Sequence, residues 1–147
     1  MRLPRALLGI VAAALALGQT AAAQTPAAAA ADGKISIELN KLEEKPGSCR
    51  IYLVIRNQTE IDLKNLELDV FIFDRDDIIT RRVGLHTRRL KPGRTYIRLF
   101  DITKVTCSEI ERLVLNEVIS CTSNAGAAIE CEDELALSSR SRVSFID

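Results

Sequence analysis

The sequence predicts an all-β fold, a single antiparallel immunoglobulin-like β-sandwich of about seven strands with one short helical turn. Two observations predict this class. Short segments alternate apolar and polar residues, which is the pattern of half-buried strands. Turn-forming sequences separate these segments, including the steps Pro46–Gly47 and Pro92–Gly93. Several short strands with frequent turns are typical of immunoglobulin-like sandwiches.

The first 34 residues predict export. A short basic segment, MRLPR, precedes the apolar run Ala6–Gly18, and small residues follow with an expected cleavage point after Ala23. This order is that of a secretory signal peptide, and the run is shorter than the ~20 apolar residues that a membrane span needs. We therefore expect a signal peptide at 1–23, a flexible alanine-rich tether at 24–34 and one β-sandwich domain at 35–147. Because such leaders are common in bacteria, the expected location is the periplasm, with no transmembrane segment in the mature chain.

The strands follow in order from their alternation. In the first, Ile35, Ile37 and Leu39 alternate with polar residues. The second, CRIYLVIRN, is almost continuously apolar, as expected of a central strand, and the third, NLELDVFIFD, alternates from Leu66 to Ile72. The remaining candidates are IITRRVGL, TYIRLFD, LVLNEVISC and the final RVSFI.

One segment, CSEIERLVLNEVISC, carries both helix and strand signals. Ser108 with Glu111 three residues later forms a capping-box pattern, which predicts the start of a helix. Leu113, Leu115 and Ile119 recur at even spacing among Val and Ile residues, which favours a strand. We expect one helical turn near Ser108, followed by a strand from Leu113.

Four cysteines lie in the predicted exported part, namely Cys49, Cys107, Cys121 and Cys131. An even number in an oxidising compartment predicts two disulfides, with three possible pairings. We favour Cys121–Cys131, because a short, turn-rich loop brings these ends together, and this leaves Cys49–Cys107. A four-cysteine zinc site is the alternative, but the C-x-x-C spacing that zinc or redox sites prefer is missing.

The stretch DVFIFDRDDIITRR places Asp69, Asp74, Asp76 and Asp77 around an apolar run. A calcium loop is one interpretation, but the glycine and the closing glutamate of such a loop are missing. Because aspartates commonly accept hydrogen bonds from the amides of their own turn, we expect Asp74, Asp76 and Asp77 to stabilise a hairpin turn. The sequence thus predicts no metal site.

Catalytic patterns are weak. His86 is the single histidine and lies in a polar stretch beside Thr87 and Arg88. There is no G-x-S-x-G nucleophile elbow and no glycine-rich phosphate loop, and the cysteines are expected in disulfides. We therefore expect a protein with no catalytic activity and no cofactor.

Charge is unevenly distributed. The predicted mature chain has a net charge of −2, yet the stretch Arg75–Arg98 contains eight basic and two acidic residues, a local charge of +6. An acidic knot follows at Glu130–Glu134. One interpretation is that the basic stretch is solvated or faces this acidic knot within the same molecule. The other is that it binds an anionic partner, because arginine suits contacts with carboxylate and phosphate. The candidate patch, which we call the basic patch, consists of Arg81, Arg82, Arg88, Arg89, Lys91, Arg94 and Arg98.

The region from RIYLVIRN to IRLFDI resembles the sandwich domains of FxLYD type. The resemblance rests on Asn57, on Phe73-Asp74 and on the Leu90–Gly93 motif, whereas Asp77 replaces the more usual glycine of the turn. Residues 35–147 also resemble small, functionally uncharacterised secreted proteins of proteobacteria that are described chiefly by their export signal. This resemblance implies a fold and a compartment, and no catalytic residues.

Asn57-Gln58-Thr59 matches the N-glycosylation sequon, which in a periplasmic protein we interpret as a loop.

The sequence therefore predicts a non-catalytic binding or accessory protein of the cell envelope. It would act through protein–protein or anionic-surface contacts, using the basic patch or an exposed edge strand. The partner would be an envelope protein or an anionic envelope component, and not nucleic acid, given the export signal. The alternatives are a secreted inhibitor of an envelope hydrolase that presents the 121–131 loop, and a small-ligand carrier.

Overall fold

The structure is a computed structural model that describes residues 34–147. The predicted signal peptide and nearly all of the predicted tether lie outside these residues. The described chain is all-β, as predicted, and contains eight strands rather than seven. They are β1 (Ile35–Lys45), β2 (Ser48–Asn57), β3 (Leu63–Phe73), β4 (Ile79–His86), β5 (Arg94–Thr103), β6 (Arg112–Ser123), β7 (Leu135–Ser139) and β8 (Ser144–Ile146).

The strands form two four-stranded sheets, with the orders β5-β2-β1-β7 and β4-β3-β6-β8. Most neighbours are antiparallel, but β1 pairs with β7 and β6 pairs with β8 in parallel. The prediction of a purely antiparallel arrangement is therefore wrong at the two C-terminal strands. Strand β7 was not predicted, because LALSS is only five residues long and half polar.

The two sheets enclose one apolar core. Ile37, Leu53 and Ile55 from the first sheet and Leu68 and Ile72 from the second are almost completely buried and belong to one cluster. These residues recur at every second position of their strands, because successive side chains of a strand point to opposite faces. The alternation in the sequence thus correctly identifies the faces of β1, β2 and β3 that meet.

Both disulfides have the pairing that the loop lengths favour, Cys49–Cys107 and Cys121–Cys131. The first joins the start of β2 to a short 3₁₀ turn, Cys107–Glu109, that precedes β6. The second joins β6 to the residue before another 3₁₀ turn, Glu132–Glu134. Each disulfide therefore attaches a connecting segment to the sheet that the chain has just left.

The predicted helical turn is present near Ser108, but its cap is different. Thr106 and Glu109 form the capping box, in place of the predicted Ser108 and Glu111. A carboxylate oxygen of Glu109 accepts hydrogen bonds from the Thr106 main-chain nitrogen at 2.6 Å and from its hydroxyl at 2.7 Å. The turn ends at Ile110, which is fully buried. Strand β6 begins two residues later, at Arg112.

Candidate interaction surface

The acidic turn between β3 and β4 is held by Asp74. Its carboxylate accepts hydrogen bonds from the main-chain nitrogens of Asp76 and Ile78, both at 3.0 Å. Asp77 adopts a left-handed backbone with φ of 66° and forms an ion pair with Arg112. The prediction that Asp76 and Asp77 also bond the turn amides is wrong, because no such hydrogen bond is formed. A left-handed backbone of this kind is the conformation that glycine adopts most readily.

Asp69, the remaining acid of this stretch, lies elsewhere. Its side chain is 3% exposed and accepts hydrogen bonds from Arg82 Nε at 2.7 Å and from Asn116 Nδ2 at 2.9 Å. The hydrogen bond with Arg82 is the main reason that the pKa of Asp69 is below its usual value. Within residues 34–147 the structure contains no group of three or more potential metal-ligating side chains.

The basic patch is divided between the two sheets. Arg81 and Arg82 belong to β4, whereas Arg94 and Arg98 belong to β5. Arg81 lies opposite the buried Ile72 and so faces the space between the sheets. Its Nη2 donates a 2.6 Å hydrogen bond to the carbonyl of Lys104, just beyond β5. Arg81 therefore connects β4 to the segment that follows β5, and it is only partly buried.

Two further arginines of the patch are engaged in ion pairs. Arg82 is bound to Asp69, and Arg89 Nε donates to Asp62 at 2.9 Å. The hydrogen bond from Arg89 holds the pKa of Asp62 below its usual value. No ion pair of the described chain joins the patch to the acidic knot; the ion pair of the knot is Lys34–Glu134 at 3.3 Å. Within the same residues, Arg88, Lys91 and Arg94 form no ion pair.

The sheet edges are unequal. Strands β7 and β8 are only five and three residues long. Strand β8 pairs only with the start of β6. The rest of β6 contains register shifts. The disulfide loop lies beside it, where the Ile129 main-chain nitrogen donates a hydrogen bond to the Cys121 carbonyl. Strand β4 is eight residues long, has a register shift near its start, and exposes Arg82 and His86 as well as Ile79. Short, bulged and charged edges resist pairing with another chain.

Strand β5 is longer and more regular than these edges, although it carries the charged residues Arg94, Arg98 and Asp101. It is ten residues long, pairs with β2 along its whole length without a register shift, and ends its sheet. Its outward face carries Ile97, which is 53% exposed, and Leu99, which is 48% exposed. They lie opposite Val54 and Tyr52 of β2 and form a short apolar strip. This strip and the free backbone groups beside it are what we call the β5 edge.

A bidentate ion pair stabilises the outward face at the far end of this strip. Arg50 of β2 lies opposite Asp101 of β5, and its Nε and Nη2 donate to the two carboxylate oxygens at 2.6 and 2.8 Å. This hydrogen bonding lowers the pKa of Asp101. The cross-strand pair favours the observed register of β5 on β2.

Arg98 points inward. It lies opposite the buried Leu53, on the same face of β5 as Tyr96 and Phe100. That Arg98 belongs to the basic patch stays a prediction, but its side chain lies on the inward face of β5, which the alternation of TYIRLFD does not reveal. Sequence reasoning also overlooked Ile97 and Leu99 as surface residues, since both faces of this strand carry large apolar side chains.

Asn57, at the end of β2, is fully buried. Its Nδ2 donates to the carbonyls of Ile61 and Leu90, both at 2.8 Å, and its Oδ1 accepts from the main chain and the hydroxyl of Thr59. With 0% of its surface exposed, the amide that glycosylation would modify is engaged inside the fold. The sequon is a structural motif that joins two loops.

His86 is exposed, and its Nδ1 lies 3.4 Å from a carboxylate oxygen of Glu67. Two surface clefts lie at opposite ends of the molecule. One, of about 550 Å³, is bordered by Arg75, Arg81, Lys104 and Glu109, and the other, of about 410 Å³, by residues that include Ile61 and Glu130. Neither cleft contains His86.

Fold and surface together define a class, an all-β domain of two four-stranded sheets with two disulfides and one open apolar edge. No protein-family model matches the sequence, and no curated protein matches it. Among solved structures, IrmA from Escherichia coli is similar, with a TM-score of 0.55 and 14% identity over 72% of this chain and 92% of that chain. At this identity the similarity shows the fold alone. In the described residues no helix is long and apolar enough to cross a membrane.

Proposed function

We propose that this protein is a non-catalytic binding or accessory protein of the cell envelope, which captures an extended segment of a partner protein on the β5 edge. The single observation that carries the proposal is the ten-residue unprotected edge with Ile97 and Leu99 exposed beside it. An edge strand presents unpaired N–H and C=O groups that bind a partner strand, and apolar side chains alongside supply specificity. We also propose that the two sheets form an immunoglobulin-like sandwich.

The disulfides and the predicted leader support the proposed compartment. Two disulfides persist in an oxidising environment and are rare in the cytosol. Together with the export pattern at 1–23, they support secretion to the periplasm, where the alanine-rich segment would act as a tether. Such a domain would be presented to envelope proteins during or after their own export.

The remaining basic residues support an acidic partner. Arg88 and Lys91 lie in the connection that leads from β4 to β5, and Arg94 begins β5. Their free positive charges are near the N-terminal end of the edge, and the pairing with β2 brings Arg56 beside Thr95. Complementary charge raises the association rate and selects partners more than it adds affinity. The basic patch would thus guide an acidic segment to the edge.

Cross-linking in cells tests the proposal. A photo-reactive amino acid would replace Leu99 in one strain and Ile119 of β6 in another, because these side chains are 48% and 49% exposed but belong to different sheets. We expect a discrete cross-linked protein from position 99 and not from position 119. The same adduct should disappear when Ile97 is replaced by Lys, since a lysine on an edge opposes strand pairing.

Equal cross-linking from both positions, or a discrete adduct only at 119, would contradict the proposal. A probe at the exposed Asn124 in the disulfide loop distinguishes the inhibitor alternative, which requires the loop to be the contact site. A ligand that co-purifies and is visible by native mass spectrometry would favour the carrier.

A further inference from the structure

Arg98 occupies an unusual place in the β5 edge. Its guanidinium lies 4.9 Å from the centre of the Tyr96 ring, and its Nη1 donates to the carbonyl of its own neighbour Ile97 at 3.1 Å. Its Nε is buried and has no hydrogen-bond partner, which distinguishes it among the described buried side-chain nitrogens and oxygens. A buried donor without a partner has lost its hydrogen bond to water and gained none in return, so its presence requires an explanation.

Other arginines of the chain show what is missing. In Arg50, Arg82, Arg89 and Arg140, Nε donates to an Asp or Glu carboxylate, at 2.6, 2.7, 2.9 and 3.0 Å respectively. The edge of the guanidinium formed by Nε and Nη2 matches the two oxygens of a carboxylate. Within residues 34–147 Arg98 forms no ion pair, although it lies in a strand whose other side is free for a partner.

We propose that Arg98 binds a carboxylate from the partner segment that adds to β5, and so makes the β5 edge selective for a strand with an inward-facing Asp or Glu. This inference rests on the function proposed above. Directly opposed residues of neighbouring strands have Cβ atoms about 4.5–5.5 Å apart, which is within reach of the guanidinium. Binding turns the guanidinium from the Ile97 carbonyl toward the carboxylate, which replaces a neutral acceptor by a charged and stronger one.

A second copy of this chain does not fit this role. If two β5 strands paired antiparallel with Ile97 opposite Leu99 of the other copy, the two Arg98 residues would lie opposite each other. Like charges directly opposed across strands are destabilising, and no carboxylate would be supplied. The partner is therefore a different protein with an acidic residue at the position opposite Arg98 and apolar residues beside it.

Two synthetic nonapeptides test the inference on the intact domain. Both alternate threonine and valine, with either glutamate or glutamine at the central position on the threonine face. Amide NMR signals of 94–103 report binding at the β5 edge. We expect the glutamate peptide to shift these signals and to bind about tenfold more tightly, because a charge-assisted bidentate contact is stronger than a hydrogen bond to a neutral amide.

Variants assign the preference. Arg98→Gln should abolish the difference between the peptides, and Arg98→Lys should leave only part of it, because lysine keeps the charge but lacks the planar fork. Lys64→Gln removes the same charge from an exposed residue of β3 that lies outside the basic patch and has no ion pair in the described chain, and should preserve the difference. The comparison in the wild type needs no variant and remains informative if an Arg98 substitution unfolds the domain.

The outcomes separate the two claims. If both peptides shift the β5 signals and bind equally, the role of Arg98 is overturned while strand capture stands. If neither peptide shifts them at millimolar concentration, strand capture at β5 is itself overturned. If Lys64→Gln abolishes the preference as completely as Arg98→Gln, general charge attraction explains the result and the assignment to Arg98 is wrong.

Discussion

The side-chain nitrogen Nδ2 of Asn57 donates a 2.8 Å hydrogen bond to the main-chain carbonyl of Leu90. Asn57 ends β2, and Leu90 lies in the connection between β4 and β5, where it also exchanges main-chain hydrogen bonds with Leu63. The buried side chain of Asn57 thus holds in place the connection that leads into β5, the proposed binding strand. The geometry of the β5 edge depends on this fastening at its N-terminal end.

Replacing Asn57 by Ala should destabilise the domain by about 2–3 kcal/mol, because the hydrogen bonds of its buried amide to the Ile61 and Leu90 carbonyls and to Thr59 are lost. The free energy of unfolding from urea titration measures this. Asn124→Ala is the matched control, since Asn124 is exposed and its side chain makes no hydrogen bond in the described chain; it should change stability by less than about 0.5 kcal/mol. Equal effects of the two substitutions would show that the Asn57 contacts contribute little.

Acid should destabilise the fold. Hydrogen bonds from arginines lower the pKa values of Asp62, Asp69 and Asp101 in the folded state. The unfolded chain therefore binds protons at higher pH, and the stabilisation, present above about pH 4, is lost as the pH falls through the lower folded-state values. Melting temperatures between neutral pH and pH ~2 test this. A melting temperature that stays constant across this range would contradict the predicted loss of stability in acid.

Asp69→Asn isolates one contribution to that acid dependence. The substitution keeps the size of the side chain but removes the charge that Arg82 binds, so stability at neutral pH should fall by about 1–3 kcal/mol. The dependence on pH below about 4 should become shallower than in the wild type. Denaturant titrations at several pH values measure the free energy of unfolding. If its dependence on pH is the same in the variant and the wild type, Asp69 is excluded as a contributor.

The disulfides should contribute unequally. Cys49–Cys107 spans 58 residues of sequence and Cys121–Cys131 spans 10, so loop-closure entropy gives about 4 and about 3 kcal/mol respectively. Double Cys→Ala variants, compared by urea titration, should therefore rank in this order. Non-reducing peptide mapping should first find these two linkages; any other linkage would invalidate the comparison.

The sequence predicts most of the framework, because alternation follows directly from the pleat of a strand. It identifies β1, β2 and β3 and the inward faces of their side chains, together with the disulfide pairing. It misses β7 and the parallel pairing of the last two strands, since five half-polar residues give almost no periodic signal. Parallel order depends on where the chain crosses between sheets, which no local pattern encodes.

The surface is less predictable than the core. The basic patch is contiguous in sequence, but the structure divides it between two sheets and commits Arg81, Arg82 and Arg89 to internal contacts. Arg98 is inward because β5 follows the register of β2, and that register is a long-range property. The β5 edge could be inferred only after the order of the strands was known.

Lysine substitutions separate binding from folding. Ile97→Lys with Leu99→Lys should leave the free energy of unfolding within about 1 kcal/mol of the wild type, because both side chains are about half exposed. Capture of the partner or of the glutamate peptide should be lost. Ile119→Lys is the control of matched exposure and should retain binding. Loss of binding in the Ile119 variant as well would point to a non-specific effect.

The most direct test of strand capture is backbone amide hydrogen exchange along β5, with and without the glutamate peptide. A strand that adds to a sheet forms hydrogen bonds with the main-chain amides of the edge strand that point away from the sheet. In an antiparallel pair these are the amides of alternate residues. We predict that every second amide of 94–103 gains protection, while the amides of β4 keep their exchange rates. Protection that appears on β4 or in the 121–131 loop, with β5 unchanged, would contradict the account.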